Sequence, residues 1–189
     1  MSDLWVFGYG SLMWRPGFEH IERQHALLRG AHRSLCVYSV VHRGTERKPG
    51  LVLGLDAGGS CRGIAFRVQA NIADRTLNYL REREQVTNVY RETHRQIELL
   101  GETPSKVEAV CFVVDRSHPQ YAGRLPVKHQ AEIVRDGRGA SGHNVEYVVN
   151  TLSHLHEMGL HETALSEIVA SLGPDQQSDH DDDLLSARA

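Results

Sequence analysis

No stretch of this chain approaches the roughly 18 consecutive apolar residues that a membrane-crossing helix requires. The opening Met-Ser-Asp-Leu-Trp carries neither the basic nor the apolar segment of an export signal. A soluble, cytoplasmic protein is expected. Cysteine is scarce: Cys36, Cys61 and Cys111 are odd in number and far apart, which argues against a disulfide framework and fits a reducing compartment. All three thiols are expected as buried, small apolar groups. Neither sign of charge dominates. The formal net charge is −3, and the stretch from Pro174 onward holds five Asp against one Arg, so the remainder is close to neutral. With no basic face for nucleic acid and no polybasic patch for a membrane, the expected partner is a small molecule. Repeats and long linkers are also missing from the 189 residues, which suffice for one sizeable core. We expect a single domain over 1–173. The segment 174–189, with its run Pro-Asp-Gln-Gln-Ser-Asp-His-Asp-Asp-Asp, is too polar to bury and reads as an acidic disordered tail. It lacks the glycine and final glutamate of a calcium-binding loop.

What the chain does have begins near its start. Val6-Phe7-Gly8-Tyr9-Gly10-Ser11-Leu12-Met13-Trp14 is an apolar run that stops at two glycines and a serine. Leu4 to Phe7 suit a strand, and Gly8 and Gly10 are expected to take positive φ and let a ligand approach backbone N–H groups. Exposed amides of this kind bind anions.

The remaining pattern is mixed. Strands are expected at 4–9, 34–41, 51–55, 61–68, 90–100 and 107–115, and helices at 71–84, 127–135, 144–157 and 162–172, with Pro126 and Gly173 as stops. Most neighbouring strands lack a helical crossover between them. That favours an antiparallel or mixed sheet, able to curl into a barrel, over a doubly wound parallel sheet.

On the helix before Gln85, Ala73, Leu77, Leu80 and Glu84 fall on one stripe at 100° per residue, while Glu82 points away. Glu84 therefore ends an apolar face. Partial burial would raise its pKa and make it a proton acceptor, and the competing structural reading is an ion pair with Arg83, Arg91 or another base.

Other chemistries fail on spacing. Met13 stands where a dinucleotide fingerprint needs its third glycine, and no Lys-Ser or Lys-Thr follows for a P-loop. Ser11 lacks the Gly-x-Ser-x-Gly frame of a nucleophile elbow. His154, His156 and His161 are spaced by two and five, without an i, i+4 pair or a nearby Cys or Glu in a zinc frame, and read as solvated helix-face histidines.

Taken together, the segments resemble the ChaC-like γ-glutamylcyclotransferases. The glycine loop followed by Pro16-Gly17-Phe18 matches the family's opening. His42-Arg43-Gly44-Thr45, Lys48-Pro49-Gly50, Gly63-Ile64-Ala65-Phe66, Tyr79-Leu80 with Arg83-Glu84, and Gly139-Ala140-Ser141-Gly142 with Asn144, Glu146 and Tyr147 follow in the family's order, over roughly residues 3 to 160. The resemblance implies an α+β fold, a small mixed or antiparallel β-barrel packed with α-helices, and cleavage of glutathione to 5-oxoproline and cysteinylglycine without metal or cofactor. It places Glu84 as the catalytic glutamate, Tyr9, Gly10, Ser11 and Leu12 as the substrate-binding loop, and Tyr147 at the site. Where the family often has a Gly-rich turn after its glutamate, this chain has Gln85-Val86-Thr87-Asn88-Val89-Tyr90. That departure bears on substrate preference, with other γ-glutamyl amino acids or amines as the alternatives to glutathione. A non-catalytic γ-glutamyl-binding module would keep the loop, but the acid at position 84 argues for turnover.

Overall fold

The structure, a computed structural model, describes residues 2–101 and 103–173; the expected tail at 174–189 lies outside the described residues. The chain divides into two compact units, one formed by residues up to 37 with 53–123, the other by 38–52 with the chain from 124 onward.

In the first unit the strands β1 (Leu4–Gly8), β2 (Glu22–Ser39), β3 (Gly50–Val68), β4 (Tyr90–Leu99) and β5 (Ser105–Val114) close a barrel in the order β1-β3-β2-β4-β5; the last residues of β2 and the first of β3 belong to the second unit. β1 runs antiparallel to β3, with Leu4 opposite Val68 and Gly8 opposite Ile64, and parallel to β5 at Val6 and Val110. β4 and β5 form a continuous antiparallel ladder from Tyr90 opposite Val114 to Leu99 opposite Ser105. The barrel is mixed, as expected from strands that mostly follow one another without crossovers. Val6, Phe7, Leu55, Phe66, Ile97 and Phe112 on its strands are all but fully buried, and since successive residues such as Val6 and Phe7 point to opposite faces, apolar packing covers both sides of the sheet. The expected strands 51–55 and 61–68 are one strand in the structure. Gly58 and Gly59, the reason to expect a turn there, take φ of 96° and 71° inside β3 and bend it without ending it. β2 likewise begins twelve residues earlier than expected and contains a left-handed Gly30 at φ 81°. After β3 a single 3-10 turn, Ala70–Ile72, leads into α1 (Ala73–Glu84).

The second unit holds the helices α2 (Val127–Asp136), α3 (Asn144–Glu157) and α4 (Thr163–Leu172), with the short strands β6 (Arg138–Gly139) and β7 (Gly142–His143) between α2 and α3. Pro126 precedes the first residue of α2, so it opens that helix, while Gly173 at φ 86° ends α4. α2 packs against α3 and α4. Asn144, fully buried at the start of α3, donates from Nδ2 to the Leu51 carbonyl (2.7 Å) and accepts the Leu51 N–H at Oδ1 (2.6 Å).

Candidate active site

The loop after β1 folds differently from expectation. Neither Gly8 nor Gly10 has positive φ; Gly10 sits at φ −135°, ψ −135°. Their value is spatial. A Cβ on Gly8 would approach the Leu12 Cβ to 3.2 Å, so the missing side chain lets the turn close tightly on the strand. One on Gly10 would meet only Leu53 Cδ1, at 3.9 Å, leaving the face of the loop open. The chain then makes one 3-10 turn, Ser11–Met13, in which the Met13 N–H donates to the Gly10 carbonyl (2.9 Å) and the Arg15 N–H to the Ser11 carbonyl (2.8 Å). A single turn offers the N–H groups of Ser11 and Leu12 no acceptor within itself. Leu12 and Tyr9 are buried and anchor the loop, while Ser11 is exposed. The Tyr9 carbonyl accepts Nε–H of the buried Arg33 at 2.5 Å, and the same guanidinium donates to the Arg62 carbonyl at 2.7 Å.

α1 brings the acid to this loop. Thr76 and Leu80 are its buried residues, Ala73 and Leu77 are half-buried, and Glu82 is exposed, so the predicted stripe lies on the less exposed side of the helix, with Thr76, which the spacing did not include, buried beside it. Glu84 is the helix's last residue, and its side chain is 17% exposed. Burial pushes its carboxyl above the ordinary glutamate range, against the opposing pull of the Arg83 charge. Arg83 Nε lies 3.2 Å from Glu84 Oε1. Consecutive residues on a helix do not normally face each other. Here the other contacts of Arg83 fix where its guanidinium sits: Nη2 donates to Ser11 Oγ (2.9 Å), and Nη1 to the Arg15 carbonyl (2.6 Å), the Pro16 carbonyl (3.2 Å) and the Tyr79 hydroxyl (3.0 Å). Gly17, at φ 73°, makes room for this, since a Cβ there would overlap the Tyr79 hydroxyl. Phe18 packs edge-on against both Tyr79 and Phe66, at ring separations of 6.4 and 5.6 Å.

The structure thus gathers Tyr9, Gly10, Ser11, Leu12 and Glu84 at one corner of the first unit, with Ser11 and Glu84 at two ends of one guanidinium. Of the ion-pair partners weighed for Glu84, Arg83 is the one beside it, while Arg91 binds Asp115, with Nε at 2.8 Å. Sequence reasoning did not foresee that Arg83 also reaches the loop. The i, i+4 spacing of Tyr79 and Arg83, which puts both on one helix face, was the available signal. Also unforeseen is Tyr90, whose hydroxyl donates to the Leu53 carbonyl at 2.7 Å. Between Glu84 and Tyr90 the chain turns through Asn88 at φ 59°, a conformation asparagine tolerates better than most residues with a side chain.

Tyr147 belongs to the second unit. It is half-buried on α3, with the Arg43 guanidinium 5.5 Å from its ring centre, and Arg43 also donates to the His143 carbonyl (3.1 Å) and faces Glu146 (3.9 Å). Close by, His42 Nδ1 lies 3.0 Å from Ser141 Oγ. Of the histidines weighed for metal, His154 pairs with Glu157 at 3.2 Å, and the His156 and His161 rings lie 5.5 Å apart. No group of three or more metal-type side chains occurs among the described residues. Cys36, Cys61 and Cys111 are buried and in no disulfide, as expected, and burial pushes the thiols of Cys36 and Cys111 up to about 12. No helix among the described residues is long and apolar enough to cross a membrane.

The family model described as ChaC-like protein matches residues 4–173. A glutathione-specific γ-glutamylcyclotransferase of Escherichia coli (strain K12) is 32% identical over 171 residues, covering 90% of this chain and 73% of that protein. A human protein, glutathione-specific γ-glutamylcyclotransferase 1, is 32% identical over 180 residues, covering 94% and 74%. The crystal structure of a selenomethionine-labelled γ-glutamylcyclotransferase specific to glutathione from yeast superposes with a TM-score of 0.81 over 91% of this chain and 96% of that one; at 19% identity this is a likeness of fold. With a family model spanning the barrel, the glycine loop, Glu84 and all four helices, the chain belongs to the ChaC-like family.

Proposed function

We propose that this chain is a cytoplasmic γ-glutamylcyclotransferase that cleaves glutathione to 5-oxoproline and cysteinylglycine, with residues 1–173 as its functional span. The observation that carries this reading is a largely buried carboxylate, Glu84, joined through one guanidinium to an open glycine loop. Family membership and the names of the E. coli and human relatives support it.

In glutathione the γ-glutamyl α-amine can attack its own δ-carbonyl and close a five-membered lactam. The protein need not supply a nucleophile; it must fold the substrate and move protons. Holding amine and carbonyl in contact is worth a great deal, since well-oriented intramolecular reactions reach effective molarities of about 10⁵ M or more. Proton transfer is harder. An α-ammonium has a pKa of about 8 against about 4.3 for an unperturbed glutamate, a mismatch of roughly 5 kcal/mol. Burial of Glu84 narrows that gap from the acid side. Glu84 takes a proton from the ammonium, the amine nitrogen bonds to the δ-carbon, and the tetrahedral intermediate forms. As it collapses, the bond to the cysteinyl nitrogen breaks and Glu84 returns its proton to that departing amine; the attacking nitrogen then gives up its second proton by the same route, so that the ring ends as a neutral lactam N–H and the leaving amine as an ammonium. The N–H groups of Gly10, Ser11 and Leu12 receive the substrate's negative charge, whether the α-carboxylate or the developing oxyanion, without a lysine. Tyr9 shapes this pocket from its buried position, and Tyr147 joins the substrate-binding set on its family position.

The test is direct. Purified protein incubated with glutathione, γ-glutamyl amino acids and γ-glutamyl amines should release 5-oxoproline, fastest from glutathione. No release from any of them would remove the enzyme reading, and release from another member of the panel alone would change the substrate. Glu84→Gln should keep the native circular dichroism and lose turnover; a wild-type rate in that variant would exclude Glu84 as the base.

A further inference from the structure

We propose that Arg83 is a positioning residue that holds Glu84 and Ser11 in register, so that the base on α1 and the hydroxyl on the loop meet the same substrate in one arrangement. The inference rests on the reading of Glu84 as the base. Three observations carry it.

All three guanidinium nitrogens are engaged, and they engage different elements: Nε faces Glu84, Nη2 donates to Ser11 Oγ, and Nη1 donates to the carbonyls of Arg15 and Pro16 and to the Tyr79 hydroxyl. A planar, rigid fork of donors ties the end of a helix to a loop in a way a flexible ammonium cannot. Secondly, the arrangement assigns a direction to Ser11. A hydroxyl that accepts a hydrogen bond from a guanidinium keeps its own proton for a different acceptor. Ser11 is exposed and follows Gly10, whose face the protein leaves open, so that proton is available to an anionic group of the substrate. Ser11 thereby acts through its side chain as well as its backbone.

The third observation concerns Glu84. It is the last residue of α1, and the Arg83 guanidinium, itself fixed by the loop carbonyls and Ser11, lies 3.2 Å from its Oε1 and so restricts where the carboxylate can sit. The charged and titratable side chains on the elements meeting here are Tyr9 and Arg15 on the loop, Asp74, Arg75, Tyr79, Arg81, Glu82 and Arg83 on α1, and Tyr90, Arg91 and Glu92 at the start of β4, of which Arg81 is bonded to Glu92 and Arg91 to Asp115. The opposite charge beside Glu84 is that of Arg83, and it pulls the carboxyl down against the upward push of burial.

The experiment compares wild type, Arg83→Gln and Arg83→Lys, each checked by circular dichroism and thermal melting. Carbon-13 glutamate labelling follows the Glu84 carboxyl in substrate-free protein, with Glu84→Gln assigning its signal, and steady-state kinetics with glutathione gives kcat and KM. In Arg83→Gln the Glu84 titration should move to higher pH, and kcat should fall on the order of 10- to 100-fold with a smaller change in KM. Arg83→Lys should return the titration toward wild type while recovering kcat only in part, because lysine supplies the charge without the fork. An unchanged Glu84 titration in Arg83→Gln, or a wild-type kcat in Arg83→Lys, would overturn the proposal. The lysine variant decides the matter alone if the glutamine variant does not fold. Should wild-type protein release no 5-oxoproline, the catalytic reading fails, while the titration still decides whether Arg83 governs Glu84.

Discussion

A glutamate on a protein surface is a poor acceptor for an ammonium proton, and what changes Glu84 is its removal from water. The same burial has a consequence for stability. Because the carboxyl is harder to ionise in the folded protein than in the unfolded chain, the folded state holds its proton over a pH window in which the unfolded state has released it. The stabilisation from that bound proton is fully present below the ordinary glutamate value of 4.5 and is lost as pH rises through the raised one. At neutral pH an ionised Glu84 is therefore a net cost, only partly offset by Arg83. Glu84→Gln should melt at or above the wild-type temperature at pH 7, and this advantage should disappear when both are melted below the ordinary glutamate range. On the proposal that Glu84 is the base, the wild-type rate of 5-oxoproline release should fall as pH drops through the raised value, since only the ionised carboxylate accepts a proton. A Glu84→Gln protein clearly less stable than wild type at pH 7 would mean that the ion pair with Arg83 outweighs burial.

Among the elements, the α3 start shows how one side chain can seat a strand. Asn144 mimics a neighbouring strand for Leu51, satisfying both its N–H and its carbonyl in a fully buried place. Gly50 is part of the same fit, because a Cβ there would come within 2.8 Å of Asn144 Oδ1. Asn144→Ala leaves two buried backbone groups without partners, at about 1–3 kcal/mol each. A loss of about 3 kcal/mol in denaturant unfolding is expected, and a change under 0.5 kcal/mol, roughly that of an ordinary surface substitution, would exclude the clamp. The strands also show where sequence patterns stop being informative. β5 runs apolar from Ala109 to Val114 and is legible from its pattern, whereas β4 is polar from Arg91 to Gln96 and is bounded by Tyr90 at one end and Ile97 and Leu99 at the other. The first half of β2, Glu22 to Gly30, is mostly polar, because its outer residues face solvent and its regularity comes from pairing with β4 at Ala26, Leu27 and Leu28. Gly58 and Gly59 read locally as a turn, yet β2 lies beside them: His32 Nδ1 is 2.9 Å from the Gly58 carbonyl. Pairing partners distant in sequence decided both outcomes, and no local window contains them.

For the molecule as a whole, the candidate site was legible to different depths. The periodicity of α1 located Glu84, and the glycine pattern located the loop, but bringing the two together required the barrel, and the Arg83 bridge between them has no periodic signature. That residues 1–173 suffice for function is a proposal that truncation can test. The described elements end at Leu172 with Gly173 as the cap of α4, and the family model ends at residue 173. Residues 174–189 contribute five Asp and no residue of the loop or of the base-bearing helix. Their net negative charge is distributed along a polar segment, where screening over a Debye length of about 8 Å at physiological salt weakens any action at a distance. Truncation after Gly173 should therefore leave both the melting temperature and the rate of 5-oxoproline release close to those of the full chain. If the truncated protein instead loses most of its activity while melting normally, the acidic segment takes part in binding substrate or releasing product.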